Sequence, residues 1–468
     1  MGGTPITPSP GVAGTARPRS RRRVMGAAVA LAGGAVVAAC GGLRGQGGAG
    51  PQTSAGAGTS PSKVSGTLRF SFFGSVEEQA LWEKISQQFE AKTPGVTVVP
   101  EHIPSAYFTK IQTAIAGGDA ADVILMEDKP TAGYAKKGFF RELDPFISAD
   151  RSFKFEDYHA GLFDGLKYRG KLYGLPQHWL TQSIAYNKQL LSKAGVAYPP
   201  ADWRDPSWNW STFLETARKL TVREGSNVTQ WGFPLTGYSW TRWRMWVWQN
   251  GGDVLSSDLK TCLLDTPQAI EGLQFYADLM NRHHVAPTNE ERQAAGGLDD
   301  VNLFAQGKAA MIATPPYFHQ LRSRIKDFEW DVAPMPRQKK SAAPLWPDSI
   351  SINAATKVAE AAWALVRYVV GPDGQRTLTE LGRGVPVLKS VSDSPSFLQL
   401  DRDPRSVKLY LDVPQYGIVT QYTTVWDEME QLNKAELEPV FLGQRTAKDA
   451  VASLVPQVNR LLQTAEAG

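Results

Sequence analysis

The chain has 468 residues, with 50 Lys and Arg against 46 Asp and Glu, 14 Trp and two Cys. Five arginines and no acid fall before position 40, so the rest of the chain carries 45 basic against 46 acidic side chains, and the sequence pI of 8.8 belongs largely to the front. A balanced main body gives no reason to expect nucleic-acid binding, and the roughly 400 residues left exceed one small core and point to two domains.

Arg17, Arg19, Arg21, Arg22 and Arg23 precede a 16-residue apolar run, Val24 to Ala39. That run is short for a spanning helix, which needs about 20 residues. A basic stretch, a short apolar stretch and small residues at its end read as a secretory signal over residues 1–39. Ser20-Arg21-Arg22-Arg23-Val24-Met25 resembles a twin-arginine signal, although the usual aromatic is missing. Val37-Ala38-Ala39-Cys40-Gly41 resembles a lipobox, in which the Cys40 thiol takes a diacylglyceryl group and becomes the new N-terminus. The alternative for Cys40 is an ordinary buried thiol at the end of an uncleaved helix. Residues 41–65 hold eight glycines among small and polar side chains, so 40–65 reads as a lipidated cysteine and a flexible tether spanning about 25–30 Å. With Cys40 acylated, Cys262 has no disulfide partner and is expected to be a buried small hydrophobe.

Thr67–Phe73 alternates apolar and polar residues and ends at Gly74, as a strand does. Ser75 and Glu78 form a possible capping box, after which Leu81, Trp82, Ile85 and Phe89 share one helical face. Val96–Val99 predicts a second strand. Tyr107, Ile111 and Ile115 mark a second helix, stopped at Gly117-Gly118, and Val123–Met126 is a third, buried strand. Strand and helix alternating at this spacing imply a parallel α/β sheet, with ligands at the carboxyl ends of its strands. Those ends nominate Phe73, Gly74, Ser75, Glu127 and Asp128, with plain turns as the alternative. Further on, Lys171–Pro176 reads as a hairpin-like element, Ile184–Asn187 as a strand and Phe213–Leu220 as a helix opened by Ser211 or Thr212. Ile270–Met280 and Asp299–Phe304 read as helices, and Ala309–Ala313, Trp330–Val332 and Ser349–Ile352 as strands. Ala359, Trp363, Val366 and Val370 share a helical stripe. The chain after Asp401 reads as mainly helical. Trp82, Trp330 and Trp363 fit element periodicity and are assigned to the core. No second apolar stretch is long enough to span a membrane.

Several short runs stand in an order that resembles the family 1 extracellular solute-binding proteins of ABC importers, the maltose-binding type. They include Phe89-Glu90-Ala91-Lys92-Thr93-Pro94-Gly95-Val96, Ala114-Ile115-Ala116-Gly117-Gly118, Gly170-Lys171-Leu172-Tyr173-Gly174-Leu175-Pro176, Gly307-Lys308-Ala309-Ala310-Met311, Val332-Ala333-Pro334-Met335-Pro336 and Gly382-Arg383-Gly384-Val385-Pro386. The resemblance spans roughly residues 66–460. It implies an α/β, two-lobed periplasmic-binding-protein fold with an interlobe ligand cleft and chain crossovers. The lobes would be 66–180 with 334–382, and 181–333 with 383–468, closing on ligand by a hinge. It implies Tyr317 as a ligand aromatic, Gln177, His178 and Trp179 at the first crossover, and Trp240 and Trp243 in a loop of the second lobe. Trp346 and Asp348 would come just before a first-lobe strand, and Arg383 would sit at the last crossover. Flat aromatic faces suit pyranose rings, and Asp, Gln and Arg bond hydroxyls. Several of these Trp have a core position as their alternative.

The implied partners are a small solute, a sugar by this resemblance, and the ABC permease transmembrane subunits. The implied state is a monomer held by its lipid on the outer face of the cytoplasmic membrane. No cofactor, metal, nucleic acid or reaction is expected. His283-His284 are adjacent and share no helix face. Two rival readings remain open. One is a non-sugar solute such as a glycerol phosphate or polyamine. The other is a secreted glycan hydrolase using a carboxylate pair such as Glu127 and Asp348, although no Gly-x-Ser-x-Gly elbow, His-Glu-x-x-His or P-loop is present.

Overall fold

The computed structural model describes residues 64–126, 131–225, 227–235, 238–294 and 296–465. The signal, Cys40, most of the tether, Glu127 and Asp128 lie outside the described residues.

Strands β1 (Gly66–Phe72), β2 (Val96–His102) and β3 (Val123–Met126) pair in parallel, with β1 between the other two. The helix Val76–Lys92 joins β1 to β2. Its capping box is complete: Glu78 N–H donates to Ser75 Oγ at 3.4 Å, and Ser75 N–H donates to Glu78 Oε2 at 2.6 Å. The helix buries Leu81, Trp82, Ile85 and Phe89, and Trp82 meets Phe70 edge-on at 5.5 Å. The helix Tyr107–Gly117 leads to β3 and stops at Gly118, whose φ of 72° forms a left-handed cap.

A short hairpin, β4 (Lys167–Tyr168) and β5 (Lys171–Leu172), precedes β6 (Leu175–Leu180). Two residues later the chain enters β7 (Ser183–Asn187) in a different sheet. After the hairpin β8 (Val222–Glu224) and β9 (Asn227–Gln230), strands β10 (Met311–Thr314) and β11 (Trp330–Pro334) flank β7, both antiparallel to it. The chain then returns to the first sheet as β12 (Ala343–Ile352), which pairs antiparallel with β3 and β6 and parallel with β13 (Gly417–Val419). The result is a six-stranded sheet and a three-stranded one, with the chain crossing between them. This is the α/β, two-lobed architecture that the resemblance implies.

Two main cores form, and the three-stranded sheet lends one face to each: Ala185, Ile312 and Val332 to the first, Ile184, Met311 and Ala333 to the second. Phe70, Phe72, Trp82, Ile350 and Val366 belong to the first; Trp210, Phe213, Trp246, Tyr276 and Phe441 belong to the second. The helices Trp240–Gln249, Pro267–Asn281, Trp426–Phe441 and Ala447–Thr464 supply much of the second core. Trp82, Trp330 and Trp363 are buried, as their periodicity requires, and so is Cys262, whose thiol burial pushes up to about 11. Among the described residues no helix is long and apolar enough to cross a membrane.

Three local expectations are corrected. Trp240 and Trp243 are not in a loop but on the helix Trp240–Gln249. Trp346 and Asp348 do not precede a strand but lie inside β12. Pro344 and Pro347 hide that strand from sequence, since proline is confined to edges and bulges; here β12 is irregular immediately after Asp348. The helix read from Phe213 starts at Trp210, capped by Asn209 rather than by Ser211 or Thr212.

Candidate functional site

β6 and β12 run side by side where the chain leaves and re-enters the first sheet. Leu180 opposes Trp346, Trp179 opposes Pro347, and His178 opposes Asp348. Directly opposed residues share a face and neighbours along a strand alternate. His178, Asp348, Leu180 and Trp346 therefore face one side, and Trp179 faces the other. That side is core: Trp179 is fully buried, 6.0 Å from His159, and its backbone pairs with Val385. Trp243 is also fully buried, in the second core.

On the shared face an ion cluster forms around Arg383. Its Nε lies 2.6 Å from Glu78 Oε1 and its Nη2 3.6 Å from Asp348 Oδ2, with its guanidinium 5.3 Å from the Phe73 ring centre. His178 Nε2 approaches Asp348 Oδ2 at 3.0 Å. All four charged or titratable groups are at least nine-tenths buried. Burial holds the His178 imidazole below its ordinary value, against the pull of Asp348. Gly384 allows the contact: its φ is +72°, and a Cβ there would collide with the His178 ring. Gly74, with φ +129°, likewise gives Glu78 its space. Phe73, Gly74 and Ser75 thus meet Arg383 and Glu78 at the carboxyl end of β1. Tyr317 belongs here too, bridging the Arg383 backbone with its ring 5.9 Å from His319. His319 Nδ1 lies 3.3 Å from Gly382 O, and burial lowers its pKa.

About 7 Å along β12 from Asp348, Trp346 begins an aromatic group. Trp240 sits 6.0 Å from Trp346 and 5.7 Å from Trp426, and Tyr422 lies 4.7 Å from Trp426. Trp240 is half-buried and packs against the second core; Trp346 is buried, and Trp426 is buried as a member of that core. Three more residues near the first crossing carry buried polar atoms without a protein hydrogen-bond partner: both amide atoms of Gln177, Thr181 Oγ1 and Gln182 Oε1. Thr420, Thr423 and Thr424, before the Trp426 helix, have unpartnered hydroxyls as well. Buried polar atoms in this state are rare in native proteins and call for a partner such as an ordered water or a ligand.

The structure therefore gathers Phe73, Gly74, Ser75, His178, Asp348, Arg383 and Tyr317 around one ion cluster, and Trp240 with Trp346 beside it. Gln177 stands at the β6 irregularity with a free amide, and Trp179 and Trp243 are in the cores. Glu127 and Asp128 lie outside the described residues. Sequence reasoning missed Gln182, His319, Trp426 and Thr423, and noticed Glu78 only as a cap. The one signal available for Trp426 was a Trp directly after three small or β-branched residues. Among the described residues no group of His, Cys, Asp and Glu has the arrangement of a metal site. What the arrangement offers chemically is flat apolar ring faces next to hydroxyl-sized donors and acceptors.

A family model described as bacterial extracellular solute-binding protein matches residues 74–376. A binding protein of Brucella abortus (strain 2308) is 25% identical over 386 residues, covering 79% of this chain and 88% of that protein. An ABC substrate-binding protein from Listeria monocytogenes, solved in complex with cycloalternan, superimposes with a TM-score of 0.76 at 24% identity, over 85% of this chain and 99% of that one. The GacH receptor of Streptomyces glaucescens, solved unliganded and with acarbose, gives 0.72 at 23% identity, over 86% and 100%.

Proposed function

The chain belongs to the bacterial extracellular solute-binding proteins, and from that premise we propose that it captures a neutral carbohydrate for an ABC importer. The observation that carries this reading is the trio Trp240, Trp346 and Trp426 set next to unpartnered buried amide and hydroxyl groups. Indole faces pack on the apolar faces of sugar rings, while the polar atoms take hydroxyls.

The charges favour a neutral ligand over a phosphate. A phosphate needs a cation or a helix N-terminus turned toward it. Arg383 is already engaged by Glu78, Arg244 by Glu430, and Arg242 by Asp300. The acids Glu78 and Asp348 are themselves occupied by Arg383, and the reading assigns the chain no reaction. We place the ligand between lobes 66–180 with 334–382 and 181–333 with 383–468, noting that β13 adds to the larger sheet. We also propose that Cys40 is acylated, that residues 41–65 tether a monomeric domain above the cytoplasmic membrane, and that the permease transmembrane subunits receive the solute. The relatives solved with cycloalternan and acarbose support the sugar class.

The test is a thermal-shift screen of glucose, maltose, maltotriose, cellotriose and arabinotriose, with glycerol 3-phosphate and spermidine as the non-sugar arms. A raised melting temperature with at least one sugar, followed by calorimetric titration, is the expected result. A shift confined to glycerol 3-phosphate or spermidine refutes the carbohydrate assignment.

A further inference from the structure

Arg244 occupies an unusual place for a charged side chain. It is 2% exposed, in the second turn of the helix that opens at Trp240. Its guanidinium centre lies 5.4 Å from the Trp240 ring centre, 4.8 Å from Trp243 and 4.6 Å from Trp426. One nitrogen ion-pairs with Glu430, and another donates to the Trp240 carbonyl at 3.4 Å. Glu430 is held in turn, accepting from Tyr238 Oη at 2.7 Å and Asn433 Nδ2 at 2.8 Å. A buried guanidinium needs its charge and donors satisfied; here one carboxylate and three indole faces do that together.

Two of those three indoles belong to the aromatic group of the site, and they come from different helices, Trp240–Gln249 and Trp426–Phe441. An aromatic side chain at a helix start is free to change rotamer unless something behind it fixes the ring. The Trp240 ring makes T-shaped contacts with Trp346 and Trp426 and has Arg244 within cation–π range. We infer that Arg244 is a positioning residue for ligand recognition: its guanidinium, clamped by Glu430, sets the mutual orientation of Trp240 and Trp426, and these rings do the binding. The inference rests on the sugar reading above for the ligand, but not for the geometry.

The test has one arm that needs no ligand. Near-ultraviolet circular dichroism reports coupling between close indoles, and far-ultraviolet spectra report folding. Arg244→Met keeps an unbranched stem of similar reach and removes the charge; it should change the near-ultraviolet indole signal with the far-ultraviolet spectrum intact, and Arg244→Lys should restore part of it. An unchanged near-ultraviolet signal in a folded Arg244→Met protein overturns the inference. If Arg244→Met does not fold, Glu430→Gln loosens the same clamp while keeping an acceptor for Tyr238, and is read in the same way.

The second arm is a double-mutant cycle by calorimetric titration with maltotriose, or with arabinotriose where maltotriose gives no thermal shift. Arg244→Met should weaken binding by roughly tenfold or more. Combined with Trp240→Ala it should add no more than about a further twofold, because both changes disable one unit. Fully additive losses overturn the positioning role. Absence of binding by every sugar in the wild-type protein refutes the carbohydrate reading and leaves the spectroscopic arm to decide the role of Arg244.

Discussion

Gly384 is the residue on which the ion cluster most directly depends. Its positive φ and the closeness of the His178 ring both exclude a side chain. Gly384→Ala should cost about 1–3 kcal/mol of stability, from backbone strain together with displacement of a buried imidazole; urea unfolding of the two proteins measures it, and a loss within 0.5 kcal/mol, an ordinary surface value, would show that the contact is soft. The buried imidazoles predict the acid behaviour. Burial lowers His178 and His319 and takes His159, which sits 2.8 Å from Ser392 Oγ, to about 4. A histidine with a depressed native pKa favours the folded state fully above its unfolded value of about 6.5, and that stability is lost as pH falls toward the native value. Between pH 6.5 and 4 the loss from His159 alone should be on the order of 3 kcal/mol. Stability measured at pH 7 and 4.5 for wild type and His159→Gln checks this: the pH difference should shrink in the variant.

At the scale of elements, the first three strands and two helices were readable because each carries its own local period. Trp82, Ile85 and Phe89 repeat at helical spacing, Ser75 and Glu78 announce the cap, and Val123–Met126 is an unbroken buried run. The elements that build the aromatic group lack such signals. Trp240–Gln249 is buried almost all round, so it has no polar face to set a period, and Ser239 makes no side-chain cap bond. β12 contains two prolines, and β13 has only three residues. These elements exist because of what packs against them, and a single sequence carries no such information. The cleft candidates therefore rest on the resemblance, and two of the Trp, Trp179 and Trp243, lie in the cores. The contrast between binding and core aromatics is testable. Trp240→Ala should weaken sugar binding by about 2–4 kcal/mol, roughly 30- to 1,000-fold, with a small change in melting temperature, because Trp240 is only half-buried. Trp363→Ala should cost about 3–5 kcal/mol of stability and leave the affinity of the folded protein unchanged. The reverse pattern would move Trp240 into the core.

At the scale of the whole molecule, four of the unpartnered buried polar atoms lie at or beside the first chain crossing. Thr181 and Gln182 form the two-residue link between β6 and β7, and Gly382 and Gly384, both with φ above +70°, mark the link after the helix Pro372–Leu381. Each buried polar atom left unpaired costs about 1–3 kcal/mol, and Gln177, Thr181 and Gln182 carry four such atoms between them. Separation of the two lobes at these links would return those atoms to water. Closure around a ligand would return them to hydrogen bonds. The compact arrangement should therefore be the ligand-bound one, with the lobes rigid and the links bending. Small-angle scattering tests this directly. Unliganded protein should give a radius of gyration above that calculated from the compact structure, and a saturating sugar should bring it down to that value. Equal radii with and without a sugar that calorimetry shows to be bound would mean that the lobes do not hinge, and that the unpartnered amides and hydroxyls are satisfied inside a fixed cavity.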